Sequence, residues 1–211
     1  MERRTFLKTS LATSAVSAVN PAFAHTIVLP DYDVPTLYEP REVELLTQLE
    51  PWEVHVDPAQ FALFWTLPEN KAIRYTVGVG RPGLYEDGEF YVARKHEWPS
   101  WTPTPDMIRR EPEKYLQYAD GVRGGLDNPL GARALYLYTP ERGDTYLRIH
   151  GTSDVSTLAR RVSNGCARLI NTHLVDLYNR VPVDSRVVLY PVNQEVRILT
   201  TENELVVVDQ G

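Results

Sequence analysis

The chain has 211 residues and a formal net charge of −6, with 43% hydrophobic and 24% charged residues. This composition is typical of one ordinary globular domain with at most a small appendage. An acidic chain binds nucleic acid poorly, because neutralising phosphates requires clustered Lys and Arg, and it offers anionic lipid no polybasic patch. Nucleic-acid binding and charge-driven membrane attachment are therefore disfavoured.

Residues 1–24 resemble an export signal. Arg3 and Arg4 begin a basic stretch, a weakly apolar run covers residues 9–19, and residues 22–24 fit a small-residue cleavage site. The paired arginines fit a twin-arginine signal, and an ordinary secretory signal is the alternative. We therefore expect export to the periplasm or cell envelope of a bacterium. The sequence contains no run of about 20 consecutive apolar residues, so no permanent membrane span is predicted.

The remainder of the chain predicts a mainly β fold with short helices. Residues 25–52 are interpreted as an N-terminal arm with a short helix over 42–49, residues 53–192 as the main domain, and residues 193–211 as a closing strand and tail. Runs of β-forming residues bounded by turn residues predict strands over 53–56, 61–67, 72–79, 89–94, 134–138, 145–150, 186–190 and 204–208. Helices are predicted over 156–162 and 171–181, the second capped by Asn171 or Thr172.

A long insertion is predicted over residues 95–131. It contains Trp98 and Trp101 among prolines, a helical stretch over 106–118, and an Asn-Pro-Leu-Gly turn at 128–131. An insertion of this length in a compact domain is often a lid or a binding loop. The two tryptophans are candidates either for stacking on a ligand or for anchoring the loop to the core.

Cys166 is the one cysteine of the sequence, so it cannot form an intramolecular disulfide. A thiol attacks carbonyls only as the thiolate, and a free pKa of about 8.5 calls for a nearby base or positive charge. Strand alternation puts His150 opposite the apolar face, where it can be that base. The Gly165 and Cys166 N–H groups can face a developing oxyanion, and Arg168 can bind a carboxylate or brace the loop. The spacing alone equally allows a packed cysteine and a structural histidine.

Three motifs reduce this ambiguity. They are His150-Gly151-Thr152, the run Ser163-Asn164-Gly165-Cys166-Ala167-Arg168-Leu169, and Asn171 followed by Asp176-Leu177-Tyr178. Together they resemble the YkuD family of L,D-transpeptidases, and the similarity extends over residues 53–192. The resemblance implies a β-sandwich or barrel-like catalytic domain that needs no cofactor and no metal.

The resemblance also implies roles for individual residues. Cys166 is the expected nucleophile and His150 the general base, oriented by the Gly151 carbonyl. The expected oxyanion or supporting residues are Gly165, Ser163, Asn164 and Arg168, and the candidate substrate contacts are Thr152, Trp98, Trp101 and Tyr136.

The implied substrates are peptidoglycan stem peptides. Cys166 would form a thioester with a donor tetrapeptide, releasing D-Ala, and an amine of a second stem would resolve it to a 3→3 cross-link. The same motifs allow water as acceptor (a carboxypeptidase or endopeptidase), a protein amine (an anchoring enzyme), or a wall-binding pseudoenzyme.

Two positions depart from the family pattern. Asn164 stands where the family usually has histidine, and residues 86–89 read Glu-Asp-Gly-Glu where the family usually has Thr-Pro-x-Gly. An asparagine donates and accepts hydrogen bonds but does not titrate. We expect the first change to affect substrate positioning or rate and the second to alter the contacts of its loop.

Overall fold

The computed structural model describes residues 28–192 and 198–202. The predicted signal over 1–24 and the predicted strand over 204–208 lie outside these described residues. Within them, no helix combines the length and the apolar character that a membrane crossing requires.

The described residues confirm a mainly β fold with few short helices. The strands are β1 (Arg41–Glu44), β2 (Val54–Asp57), β3 (Ala62–Leu67), β4 (Lys71–Thr76), β5 (Val79–Gly80), β6 (Gly88–Glu97), β7 (Arg133–Thr139), β8 (Gly143–Thr152), β9 (Arg161–Ser163), β10 (Ala167–Ile170) and β11 (Arg186–Leu189). The α-helices are α1 (Pro105–Arg110), α2 (Pro112–Tyr115) and α3 (Asn171–Arg180), and single 3-10 turns cover Thr36–Tyr38, Leu116–Tyr118 and Val155–Thr157.

Nine strands form one mixed sheet in the order β1-β4-β3-β2-β11-β6-β7-β8-β10, and β5 pairs with β9. The segment that follows β4 hydrogen-bonds to β10, which lies at the far edge of the sheet. The Gly78 N–H donates to the Arg168 carbonyl at 2.9 Å, and the Arg168 N–H donates to the Gly78 carbonyl at 2.8 Å. The sheet therefore folds back on itself, as the predicted sandwich or barrel requires.

Apolar side chains cover both faces of β3. Leu63 and Trp65 point into the main core, whereas Ala62 and Phe64 point into a smaller cluster that includes Val43 of β1. Because side chains alternate along a strand, a strand buried on both faces is apolar throughout. The second cluster explains why β1 is needed.

The helix predicted over residues 42–49 is wrong. Residues 41–44 form β1, an edge strand antiparallel to β4, with Val43 opposite Ala72. Val43 is buried while its neighbours Glu42 and Glu44 are exposed, which is the alternation of a half-buried strand. Part of the predicted N-terminal arm thus belongs to the sheet.

The helix predicted over residues 156–162 is also wrong. One 3-10 turn covers Val155–Thr157, capped by Asp154, whose Oδ1 accepts from the Ser156 N–H at 3.0 Å. The chain then extends into β9, which pairs in parallel with β5. Pairing with a distant strand therefore overrides the local helical pattern.

The helix predicted over residues 171–181 is confirmed as α3, but its cap is not the expected one. Ile170 occupies the N-cap position and makes no side-chain capping bond. The Asn171 side chain instead accepts from the Ala132 N–H at 2.8 Å and donates to the Tyr32 hydroxyl at 2.9 Å. Asn171 therefore connects α3 to the segment that enters β7.

The predicted insertion starts later than expected, because residues 95–97 still belong to β6. Its helical stretch is present as α1, α2 and the following 3-10 turn. Thr104 caps α1 through its Oγ1, which accepts from the Met107 N–H at 3.2 Å. We call residues 98–132 the cap segment.

Candidate active site

A cavity of about 1190 Å³ opens between strands β6–β8, the cap segment and the residues before β10. Seven of the predicted site residues line it: Trp101, Tyr136, His150, Ser163, Asn164, Cys166 and Arg168. Four others, Trp98, Gly151, Thr152 and Gly165, do not belong to its lining.

The sheet places Cys166 immediately before β10, whose neighbour β8 carries His150. β8 and β10 are parallel, with Arg168 opposite His150 and Ala167 opposite Ile149. Cys166, one residue earlier, therefore lies beside Arg148. In ideal parallel strands about 4.8 Å apart with a rise of about 3.3 Å per residue, two positions offset in this way have Cα atoms about 8 Å apart. This separation is within reach of two side chains that face the same cavity.

His150 is buried and held in one tautomer. Its Nδ1 lies 2.8 Å from the Gly151 carbonyl oxygen. Because a carbonyl only accepts, we assign the proton to Nδ1, and the lone pair of Nε2 is left free. Burial, reinforced by the positive charge of Arg168, lowers the pKa of His150 to about 3. The imidazole is therefore neutral near pH 7 and able to accept a proton.

The Cys166 side chain is half-buried, and its thiol is protonated at rest. Burial raises the pKa of the Cys166 thiol above its ordinary value, and a backbone hydrogen bond from Arg148 and the charges of Arg148 and Arg168 oppose this only in part. Its Sγ lies 3.9 Å from the Tyr146 carbonyl oxygen. The resting pair is thus a neutral thiol and a neutral imidazole, and thiolate forms only by proton transfer to a base.

Ser163 closes the turn that presents Cys166. Its hydroxyl donates to the Cys166 carbonyl at 2.5 Å and accepts from the Gly165 N–H at 3.3 Å. Gly165 has a φ of +121°, and a Cβ there would lie 2.8 Å from the Leu84 carbonyl oxygen. Only glycine fits this turn. The Gly165 N–H is occupied within the turn, so the Cys166 N–H is the better candidate oxyanion donor.

Arg168 presents an unpaired cation to the cavity. Its stem packs over Gly78, where a Cβ would lie 3.0 Å from the Arg168 Cγ. Its Nε is buried without a hydrogen-bond partner, and among the described residues its guanidinium forms no ion pair. Burial also lowers the pKa of Arg168. A half-buried guanidinium is suited to a carboxylate ligand, and within residues 28–192 and 198–202 the Arg168 side chain makes no hydrogen bond that braces the loop.

The ring of Tyr136 contacts two guanidinium groups. Arg148 lies 4.1 Å and Arg94 4.4 Å from the ring centroid. Both pair directly with Tyr136 across the β6–β7–β8 ladder, and Arg148 also binds Asp144 at 2.8 Å. Sequence reasoning missed these two arginines as cavity residues, although alternation along β8 puts Arg148 on the same face as His150.

Trp98 and Thr152 lie outside the lining of the cavity. The Trp98 N–H donates to the Ala132 carbonyl at 2.8 Å, and Thr152 Oγ1 accepts from the Asp154 N–H at 3.1 Å. That they contact substrate stays a prediction. Trp101 does line the cavity and packs within the cap segment, with its ring centroid 6.2 Å from that of Tyr115.

The described residues contain no group of three or more His, Cys, Asp or Glu side chains able to hold a metal ion. The side chains that line the cavity include the Cys166 thiol, the His150 imidazole and several guanidinium groups, among other polar and aromatic groups. A thiol and an oriented, neutral imidazole that line the same cavity are side chains that nucleophilic cysteine chemistry can use.

The family follows from sequence comparison. The sequence model of the YkuD family, described as an L,D-transpeptidase catalytic domain, matches residues 51–189. The chain therefore belongs to the YkuD family, whose members are L,D-transpeptidase enzymes.

Individual relatives agree with this assignment. The chain is 33% identical to the Probable L,D-transpeptidase ErfK/SrfK of Escherichia coli K12 over 69% of its own length and 45% of that protein. It is 36% identical to the Probable L,D-transpeptidase YbiS of the same strain, over 56% of this chain and 37% of that one. The matched region thus spans less than half of these curated relatives.

A solved structure from Brucella melitensis, described as a probable carnitine operon oxidoreductase, is 38% identical with a TM-score of 0.50. The match covers 78% of this chain and 95% of that chain. Its description applies to the Brucella protein, whereas the family match is a property of this chain.

Proposed function

We propose that this protein is a peptidoglycan L,D-transpeptidase in which Cys166 is the nucleophile and His150 the general base. The observation that supports it most is the 2.8 Å contact between His150 Nδ1 and the Gly151 carbonyl, which leaves Nε2 free on the wall that also carries Cys166. A base is useful only in its deprotonated form, and burial keeps this imidazole neutral.

The first half-reaction forms a thioester. The Cys166 side chain turns from the Tyr146 carbonyl toward His150, and Nε2 takes the thiol proton as Sγ attacks the carbonyl of the third residue of a donor tetrapeptide. The C–N bond to the terminal D-Ala breaks, and the imidazolium returns the proton to the departing amine. The Cys166 N–H is the proposed donor to the developing oxyanion.

The second half-reaction transfers the acyl group. The side-chain amine of a second stem attacks the thioester, His150 takes its proton, the C–S bond breaks, and the thiol is restored. The product is a 3→3 cross-link between third residues. If water or a protein amine attacks instead, the same groups give a trimmed stem or an anchored protein.

Arg168 is proposed to hold a carboxylate of the donor stem. The guanidinium lines the cavity, and its strand position is directly opposite His150. Among the described residues no side-chain carboxylate pairs with this guanidinium, so a substrate carboxylate can be its partner. This contact would orient the scissile amide relative to Cys166.

We further infer that residues 1–24 direct export and that residues 53–192 form the catalytic domain. Peptidoglycan lies outside the cytoplasmic membrane, so an exported location agrees with the proposed substrate. The basic start and small-residue site of residues 1–24 support this inference.

The test is to incubate the purified protein with disaccharide-tetrapeptides and to separate the products by chromatography with mass detection. Dimers with 3→3 links are expected, and the Cys166→Ala variant should produce none. If tripeptides are the only product, the activity is that of a hydrolase and not of a transpeptidase. An unchanged substrate would contradict the enzymatic proposal and favour a wall-binding protein.

A further inference from the structure

Asn164 lies two residues before Cys166, and its side chain forms three hydrogen bonds to residues far from it in the sequence. Its Oδ1 accepts from Arg81 Nη2 at 2.9 Å and from Arg110 Nη2 at 3.0 Å. Its Nδ2 donates to the Tyr115 hydroxyl at 2.8 Å. Arg110 belongs to α1 and Tyr115 to α2, so two of the three bonds reach the cap segment.

Arg81 provides a second connection between the same two regions. Its guanidinium binds Glu111, at the junction of α1 and α2, with an Nη2–Oε2 distance of 2.6 Å. Its backbone N–H donates to the Ser163 carbonyl at 3.0 Å. Arg81 therefore joins the start of the nucleophile turn (residues 163–166) to the cap segment. Asn164 lies at the centre of this network.

The cap segment is one wall of the substrate cavity. Trp101, Met107, Arg110 and Tyr115 all line the cavity together with Asn164. Tyr115 is 6% exposed and packs against Trp101, so its hydroxyl is held in place by its own ring contacts. A bond between Asn164 and this hydroxyl thus fixes how far that wall stands from Cys166.

The chemistry of the amide explains why asparagine suits this position. An amide oxygen has two lone pairs and can accept from two guanidinium groups while the NH₂ donates to a hydroxyl. A neutral imidazole has one acceptor and one donor, and a protonated imidazole has no acceptor. The histidine usual in the family could not make all three of these bonds.

We propose that Asn164 is a positioning residue. Its three side-chain hydrogen bonds, which we call the clasp, hold the cap segment against the nucleophile turn and thereby set the width of the stem-peptide cavity beside Cys166. The clasp itself is a property of the fold, whereas its effect on turnover rests on the function proposed above. Asn164 acts through the cap segment and not on the thiol.

The experiment compares Asn164→Ala with Asn164→Asp. Alanine removes all three bonds, whereas a carboxylate can still accept from both arginines and from the Tyr115 hydroxyl. In Asn164→Ala, we expect amide hydrogen exchange of residues 105–118 to become about tenfold faster, because that wall loses its anchor to the turn. In Asn164→Asp, exchange should stay within about twofold of the wild type.

Kinetics separate positioning from a general loss of structure. A loosened cap segment should raise KM for a donor tetrapeptide about tenfold with kcat nearly unchanged, whereas partial unfolding would lower kcat at constant KM. Alkylation of Cys166 by iodoacetamide, which needs no cap segment, should stay within about twofold of the wild type. If amide hydrogen exchange of residues 105–118 is unchanged in Asn164→Ala, or if only the alkylation rate of Cys166 changes, the clasp is overturned.

A second variant covers the case in which Asn164→Ala does not fold. Tyr115→Phe removes one hydroxyl and keeps the ring packing on Trp101, and we expect about threefold faster exchange over residues 105–118. Exchange equal to that of the wild type would overturn the clasp. If the wild type converts no tetrapeptide, the proposed function fails while the exchange comparison still decides the clasp.

Discussion

The imidazole of His150 donates from Nδ1 to the carbonyl of the next residue, Gly151, at 2.8 Å. This bond uses a backbone atom where many catalytic triads use a carboxylate. It orients the ring without adding a negative charge that would stabilise imidazolium. Burial then lowers the pKa of His150 to about 3, which makes the group a base that is neutral before it acts.

Replacing His150 should abolish turnover without unfolding the protein. A positioned general base contributes a factor of about 10²–10⁴, so His150→Gln should lower kcat/KM by at least about 100-fold on donor tetrapeptides. Glutamine fills a similar volume and can still donate to the Gly151 carbonyl. A loss of activity in this variant would therefore come from the missing base and not from altered packing. Near wild-type kcat/KM, with a normal circular dichroism spectrum, would remove His150 from the mechanism.

The pH dependence of activity should lack the usual histidine limb. An ordinary histidine is half protonated at about pH 6.5, and a base of that pKa would lose activity below it. Because the pKa of His150 is lowered to about 3, kcat/KM should be nearly flat from about pH 5 to about pH 7. A tenfold decrease from pH 7 to pH 5, in protein shown to be folded at both, would contradict this account.

The same shift predicts acid destabilisation. Between the unfolded pKa of about 6.5 and the folded pKa of about 3, the unfolded state binds more protons, so stability is lost as pH falls through this range. The buried His55 adds to the effect, since burial lowers its pKa to about 4. Urea titrations from pH 7 to pH 4 should show this slope, and His150→Gln should reduce it. An unchanged slope would assign the acid sensitivity to other groups.

Ser163→Ala should loosen the nucleophile turn. The substitution removes a donor to the Cys166 carbonyl and an acceptor for the Gly165 N–H. Ser163 is 1% exposed, so water does not readily replace the hydroxyl, and the expected cost is about 1–3 kcal/mol of unfolding free energy. Urea denaturation measures it. Ser156→Ala, at an exposed position, is the matched control and should change stability by less than about 1 kcal/mol.

Arg168→Ala should weaken donor binding more than it affects the thiol. Loss of a charge-assisted contact to a carboxylate is expected to raise KM by about 10–100-fold. Arg160, which is exposed and does not line the cavity, is the matched control for loss of one positive charge. Equal KM values for Arg168→Ala and Arg160→Ala would show that Arg168 does not bind substrate.

Local patterns predicted most strands and the nucleophile loop, but not the contacts that cross the fold. Residues 42–49 have apolar spacing that fits a helix, yet pairing with β4 makes residues 41–44 a strand. Asn171 is a residue type that often caps helices, yet its side chain accepts a hydrogen bond from the Ala132 N–H, 39 positions away in the chain. Tertiary partners override local propensity in both cases.

Asn164 illustrates the same limit within the site. The motif located it beside Cys166, but its partners Arg81, Arg110 and Tyr115 are 83, 54 and 49 positions away in the sequence. Periodicity and motif spacing carry no information about such contacts. The resemblance identified the residue as unusual, and the structure supplied the bonds that an asparagine can make there.

Every step of the proposed reaction depends on a thioester at Cys166. Intact-mass analysis after incubation with a carbapenem tests it most directly, because opening of the β-lactam ring leaves the acyl group on the nucleophile. We predict one adduct on the wild type and none on Cys166→Ala. An adduct that persists in Cys166→Ala, or a wild-type mass that stays unmodified, would contradict the account.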